Sequence, residues 1–171
     1  MLHSLPGLLP LGLVLVDELQ VLARGHKRPK GIGLPVTEIQ VEGVTLVIMT
    51  DAGSVTEEMK ETISRANYLI IEANHDVEMV ESGPYPPYLK KRILSPSGHL
   101  SNTECGKVIA ENMTECLRQV WLCHLSEENN HPELARKTVE TIMRSYGIVP
   151  GKDVELEVLR RQLPTGVFEL E

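Results

Sequence analysis

The alternation of apolar and polar stretches after position 35 predicts a series of strands and helices. The stretch TEIQVEG, beginning at Thr37, and the following VTLVIMTD predict two strands joined by a tight glycine turn. YLIIEAN predicts a third strand, and its unbroken apolar run up to Glu72 is typical of a strand covered on both faces. QVWLCHLS and VELEVL predict two further strands.

Helical periodicity fills the segments between these strands. SVTEEMKETISRA offers Ser54 as an N-cap with Glu57 three residues later, and GHLSNTECGKVIAENM repeats that capping spacing with Ser101 and Glu104. PYLKKRIL predicts a short basic helix, and ELARKTVETIMRSYG predicts a helix closed by Gly147. Strands alternating with helices indicate one α/β layered domain.

The first 34 residues differ from the rest of the chain. Residues 1–16, MLHSLPGLLPLGLVLV, are strongly apolar but lack a basic leader and a cleavage site, and the run is too short to span a bilayer. Glycines, prolines and basic residues then predict a loop over 23–35. We therefore expect an atypical apolar segment and basic loop over 1–34 and a domain over 35–171, with no membrane span; an incomplete gene model is the alternative explanation of the apolar start.

Composition narrows the class of protein. Among 171 residues, 42% are hydrophobic and 24% charged, as in ordinary globular domains. The net charge of −7 argues against a broadly cationic surface, so any contact with nucleic acid would be local or assisted by a metal. Three cysteines without CxxC spacing do not make a disulfide framework, which favours a cytoplasmic location.

Candidate chemistry collects at strand ends. Asp51, His75 and His124 lie at or just beyond the carboxyl ends of predicted strands, the edge where α/β sheets bind ligands. Asp51 is either a turn residue or a ligand for a cation, and His124 is either a core histidine or a ligand. His99 precedes a helix start, where backbone N–H groups favour a phosphate. His75 and Asp76 form a possible acid–base or supporting pair, although adjacent side chains in extended chain point apart.

Four blocks of sequence resemble one family. TDAG at Asp51, IEANHDVEM, SGHLSN at His99 and CHLSEENN at His124 occur in the order and approximate spacing of the metallo-β-lactamase-fold hydrolases. From about Pro35 to Gly151, the chain resembles the C-terminal half of these proteins, most closely the YycJ (WalJ) type related to nuclease-like phosphodiesterases.

The resemblance implies a fold and a chemistry. The fold would be part of a four-layered αββα sandwich with a two-metal site, usually zinc and sometimes manganese, at one edge of the sheets. Asp51 would bridge the metals, His124 would bind one of them, and His99 would contact the scissile phosphate or assist proton transfer. The substrate would be a phosphodiester or nucleic acid.

The sequence departs from the family in its metal ligands. No HxHxDH string is present, and His26, in HKRPKG, is a poorly spaced candidate for another family histidine. We expect a truncated metal-dependent hydrolase, phosphodiesterase- or nuclease-like, with doubtful activity as an isolated chain. The alternative is a non-catalytic α/β module that binds a phosphate ligand or a protein partner. If one sheet of the sandwich is missing, an uncovered apolar face would favour self-association.

Overall fold

A computed structural model describes residues 12–14, 36–161, 165 and 167–170. Most of the expected apolar segment and basic loop over 1–34, including His26, lies outside these residues. The strands are β1 (Gly12–Val14), β2 (Val36–Val41), β3 (Val44–Met49), β4 (Tyr68–Glu72), β5 (Gln119–Cys123), β6 (Glu155–Val158) and β7 (Val167–Glu169). The helices are α1 (Glu57–Arg65), α2 (Val77–Ser82), α3 (Pro87–Ile93), α4 (Asn102–Asn112) and α5 (Pro132–Ser145).

Five strands form the main sheet, in the order β2-β3-β4-β5-β6. β2 and β3 pair in antiparallel fashion through a turn at Glu42 and Gly43, whose φ angles of 51° and 84° are those of a tight hairpin. The pairs β3–β4, β4–β5 and β5–β6 are parallel. The carboxyl ends of these parallel strands therefore meet at one edge of the sheet. β1 and β7 form a separate antiparallel pair.

The central strands are buried on both faces, which explains their unbroken apolar sequences. On one face, the sheet packs against α1, α4 and α5 in the larger hydrophobic cluster. On the other face, Trp121 is fully buried, and its ring centroid lies 4.8 Å from that of Phe168. The second cluster consists of Leu46, Ile48, Tyr68, Ile70, Trp121, Cys123 and Leu159, with Ile39, Val44, Phe168 and Leu170 packed against it.

The predicted strands after position 35 and the predicted helices are confirmed, but one helix cap differs, and β1, β7 and α2 were not predicted. The N-cap of α1 is Thr56, whose hydroxyl accepts a hydrogen bond from the Met59 N–H at 3.3 Å, so the prediction of Ser54 was wrong. A TxxM spacing lacks the glutamate of a capping box and is harder to recognise. Helix α2 was missed because it has only six residues and begins directly after Asp76, which caps it. The predicted cap at Ser101 is confirmed.

None of the helices in the described parts of the chain is long and apolar enough to cross a membrane.

Candidate functional site

Asp51, His99 and His124 converge at the carboxyl edge of the main sheet. Asp51 follows β3 and His124 follows β5, while His99 immediately precedes the segment that enters α4. One possible ligand atom from each of the three side chains lies within 4.8 Å of the others. The Oδ1 atom of Asp51 is 3.9 Å from the Nδ1 atom of His99 and 3.8 Å from that of His124. The structure thus brings together the three residues singled out from the sequence.

A fourth residue, Glu72, joins the two histidines. Its side chain is 1% exposed, and its Oε1 atom lies 2.7 Å from Nδ1 of His99 and 2.9 Å from Nδ1 of His124. Its Oε2 atom accepts a hydrogen bond from the Ala52 N–H at 3.1 Å. A carboxylate can only accept, so each Nδ1 atom donates a proton to Glu72. In a neutral imidazole, this leaves Nε2 as the nitrogen that can bind a metal.

The backbone is strained at two of these residues. Asp51 has a φ angle of 59° and His124 one of 55°, in the left-handed region that side chains seldom adopt. Among the described residues, the other non-glycine with positive φ is Glu42 in the hairpin turn. Left-handed conformations outside glycine cluster at functional sites, where the surrounding structure holds them in place.

Buried amides fix the loops that carry the histidines. The Nδ2 group of Asn130 donates to the carbonyls of Ala73 at 2.8 Å and Asn74 at 3.0 Å, and to Oδ1 of Asn102 at 2.8 Å. Asn102, at the start of α4, returns a hydrogen bond to Asn130 at 3.0 Å. The loop after β4, the loop after β5 and the start of α4 are therefore tied to one another.

His75 lies outside the three-residue group. It is 1% exposed, and its Nδ1 atom has no hydrogen-bond partner in the described structure. Burial lowers the pKa of His75, and the nearby Glu72 carboxylate opposes this shift. Asp76 instead caps α2 by accepting a hydrogen bond from the Met79 N–H at 3.0 Å, so its carboxylate is engaged in the helix cap and not with His75. His131 is exposed, and it caps α5 by accepting a hydrogen bond from the Glu133 N–H.

The donor set fits a divalent metal. Carboxylates and imidazoles are ligand types found in protein zinc sites, and a carboxylate that holds the far nitrogen of a metal-binding histidine is their usual support. Glu72 supplies that support to both rings at once.

Sequence reasoning missed Glu72. The available signal was a single carboxylate at the end of an otherwise apolar strand, which must find donors once it is buried. A cavity of about 530 Å³ lies elsewhere, lined in part by Gln119, Arg136 and Glu155, and contains none of the four site residues.

Comparisons with known proteins give several likenesses. No protein-family model matches the chain. The exodeoxyribonuclease YycJ of Bacillus anthracis is 38% identical over 122 residues, covering 71% of this chain and 46% of that protein. The exodeoxyribonuclease WalJ of Streptococcus pneumoniae is 38% identical over 112 residues, covering 66% of this chain and 42% of that protein. The chain thus spans a little under half the length of these relatives.

A solved structure shares the fold. Zn(2+)-bound PqqB from Methylobacterium extorquens superimposes with a TM-score of 0.51 at 18% identity, over 81% of this chain and 45% of that one. At this identity, the likeness concerns the architecture alone.

Proposed function

Since the chain is a YycJ-type member of the metallo-β-lactamase superfamily, we propose that it forms part of a divalent-metal-dependent hydrolase that cleaves phosphodiester bonds in nucleic acid. The observation that carries the proposal is the convergence of Asp51, His99 and His124 at one edge of the sheet, where the buried Glu72 binds both histidines. The names of the relatives, both exodeoxyribonucleases, support this substrate class.

We assign Asp51 and His124 as the residues that would hold a divalent metal; the resemblance implies that Asp51 would be shared by two ions. Zinc suits this mixture of imidazole and carboxylate, and manganese is the alternative. A bound divalent metal supplies Lewis-acid polarisation of a phosphoryl oxygen and a nucleophile from water at neutral pH. Glu72 sets the tautomer of the ligand by holding Nδ1 of His124.

His99 is assigned a catalytic role. Glu72 accepts from its Nδ1 atom, so Nε2 of the doubly protonated ring is the atom that would donate to a phosphate oxygen or pass its proton to the leaving group. The neighbouring Ser101, Asn102 and Glu104 act as the scaffold of the helix start, because their side chains are engaged in capping, in the amide pair and in an ion pair with Lys107.

Catalysis by these 171 residues alone should be weak or absent. The sequence contains no HxHxDH string, and the resemblance assigns most metal ligands to that string. We accordingly propose that residues 35–171 correspond to the C-terminal half of a metallo-β-lactamase-like domain. The three cysteines are unpaired, in keeping with a cytoplasmic location.

Metal titration tests this proposal. The purified chain, stripped of metal, is titrated with Zn²⁺ and with Mn²⁺ against a chromophoric chelator, and hydrolysis of bis(p-nitrophenyl) phosphate is followed in parallel. Asp51→Asn and His124→Gln should weaken binding by more than the roughly 10- to 100-fold that follows loss of a group that only orients a ligand. His99→Gln should retain the metal and lose any hydrolysis.

Glu127→Gln is the matched control, because it removes one carboxylate from the exposed loop after His124 without touching the site. Equal metal affinity in the parent chain, Asp51→Asn and Glu127→Gln would refute the ligand assignment. A parent chain that binds inorganic phosphate but no metal would favour the non-catalytic module instead.

A further inference from the structure

We propose that helix α3 is the surface on which a single strand of DNA lies next to the site, with phosphates on Lys91 and Arg92 and one base stacked on Tyr88. The inference rests on the proposed function, because it supplies that function with a contact for its substrate. Its physical basis is a short basic helix with an exposed aromatic ring, held rigidly beside His99.

The three side chains share one face of α3. Lys91 and Arg92 follow Tyr88 by three and four residues, which is the spacing of neighbours on a helix surface. Tyr88 is 75% exposed, Lys91 and Arg92 are exposed, and α3 has no buried residue. Neither cation forms an ion pair within the described chain. Lys90 differs, since its Nζ atom donates to the Glu81 carbonyl at 2.6 Å.

Close backbone packing fixes α3 relative to the site. The His99 N–H points to the Ile93 carbonyl at 3.4 Å, and the Ser95 N–H donates to the Arg92 carbonyl at 3.2 Å. A Cβ atom on Gly98 would collide with the carbonyl oxygens of Ile93 and Arg92. The basic end of α3 is therefore held one short turn away from His99.

The same packing reaches Asp51. A Cβ atom on Gly53, two residues after Asp51, would lie 2.5 Å from the Gly98 nitrogen. The loop that carries Asp51 and the loop that leaves α3 thus pack without space between them. A single strand of DNA bound to α3 would therefore place its next phosphates close to both loops.

Charge and chemistry favour single-stranded DNA as the occupant. The whole chain carries a net charge of −7, so three consecutive cations form a local attraction for phosphate on an otherwise acidic protein. An aromatic ring beside such cations matches the way proteins hold unpaired bases, because every base has a face that can stack. An anionic membrane would attract the same cations, and the experiment separates the two.

Binding of a fluorescein-labelled deoxythymidine oligonucleotide is measured by anisotropy on the full chain over a range of salt concentrations. Lys91→Ala/Arg92→Ala should weaken binding and reduce the slope of log affinity against log salt by about 1.4, or about 0.7 for each lost phosphate contact. Tyr88→Ala should weaken binding roughly tenfold, and Tyr88→Phe should restore it to within about twofold of the parent.

Arg136→Ala/Lys137→Ala is the matched control. It also removes two adjacent exposed cations from a helix, but Arg136 lines a cavity with Gln119, at the far end of β5 from His124. This control should bind the oligonucleotide as the parent does.

The inference is overturned if the parent does not bind the oligonucleotide, if the two double variants lose affinity equally, or if phosphatidylglycerol vesicles bind α3 and DNA does not. These outcomes are separate from failure of the proposed function. Loss of metal affinity in Asp51→Asn is measured without DNA, and DNA binding here is measured without added metal.

Discussion

Replacement of Glu72 by glutamine tests whether one buried carboxylate sets the state of both histidines. The substitution keeps the side-chain volume and removes the charge. If the glutamine oxygen takes the place of Oε1, it can still accept from both Nδ1 atoms, but its NH2 group then faces the Ala52 N–H, which now donates to Oε2 at 3.1 Å. If the amide turns over, its NH2 group faces His99 and His124, and both rings must move their proton to Nε2.

The expected loss of stability follows from these two orientations of the glutamine amide. Leaving a buried donor unsatisfied costs about 1–3 kcal/mol, and bonds to a charged acceptor are stronger than those to an amide. Removal of a buried charge recovers part of that loss, because the carboxylate no longer has to be desolvated. We therefore expect Glu72→Gln to lower the free energy of unfolding by about 1–3 kcal/mol, and Glu72→Ala, which abolishes every bond, by about 3–5 kcal/mol.

Urea unfolding followed by the fluorescence of Trp121 measures this effect, since Trp121 is the single tryptophan and is fully buried. Nitrogen-15 NMR of the imidazoles gives the tautomers, and zinc titration should show a roughly 10- to 100-fold loss of affinity. Glu58→Gln, at an exposed helix position, is the control and should change stability by less than about 0.5 kcal/mol. Unchanged stability together with unchanged tautomers in Glu72→Gln would refute the reasoning.

Four further predictions concern residues near the carboxyl edge of the main sheet and the oligomeric state of the chain. Because burial lowers the pKa of His75 below its ordinary value near 6.5, there is a pH range in which the unfolded chain binds a proton at this residue and the folded chain does not. The free energy of unfolding should therefore fall as pH drops below about 6.5. In His75→Leu, the free energy of unfolding measured with urea should depend less on pH in this range, and a pH dependence equal to that of the parent would contradict this. Gly98→Ala should lower the free energy of unfolding by about 1–3 kcal/mol through overpacking, whereas Ser97→Ala should change it little. Equal urea midpoints for the two variants would show that the loop can move to accept the added methyl group. Asp51→Gly should be more stable than Asp51→Ala by about 1 kcal/mol, because both lose the carboxylate but only glycine relieves the φ angle of 59°, and equal stability would argue against strain. Self-association remains a prediction, but Ile70 and Trp121 are buried on the second face of the sheet, so the contact would have to use another surface; a stable monomer in sedimentation velocity that binds no hydrophobic dye would exclude it.

Periodicity was enough to predict the sheet, because its central strands are buried on both faces and carry no polar interruption before their ends. It was also enough to place Asp51 and His124, since each follows such a strand directly. The capping of α1 by Thr56 and the existence of α2 were missed because short helices and single-sided caps leave little pattern. Local sequence favours several turn residues equally, and tertiary packing decides among them.

Glu72 was missed for a different reason. Its role depends on His99, 27 residues later, and on His124, 52 residues later, so no local spacing encodes it. The amide pair of Asn102 and Asn130 is likewise formed across 28 residues. Contacts of this kind appear only when parallel strands bring their carboxyl ends to one edge, and the resemblance to a family could indicate the edge but not the contact.

Several unfavourable features of the described chain meet at this one edge. Asp51 and His124 hold left-handed backbone, Glu72 buries a carboxylate, and His75 buries a ring nitrogen without a partner. Left-handed conformations of non-glycine residues cost about 1–3 kcal/mol each where they persist, and a buried charge adds its desolvation. A sheet edge built only for stability would place asparagine or glycine at the two turns and an apolar residue at position 72. Because Glu72 instead holds both histidines close to Asp51, the edge has the arrangement expected of the proposed metal site, in which side chains are oriented before a metal or substrate binds.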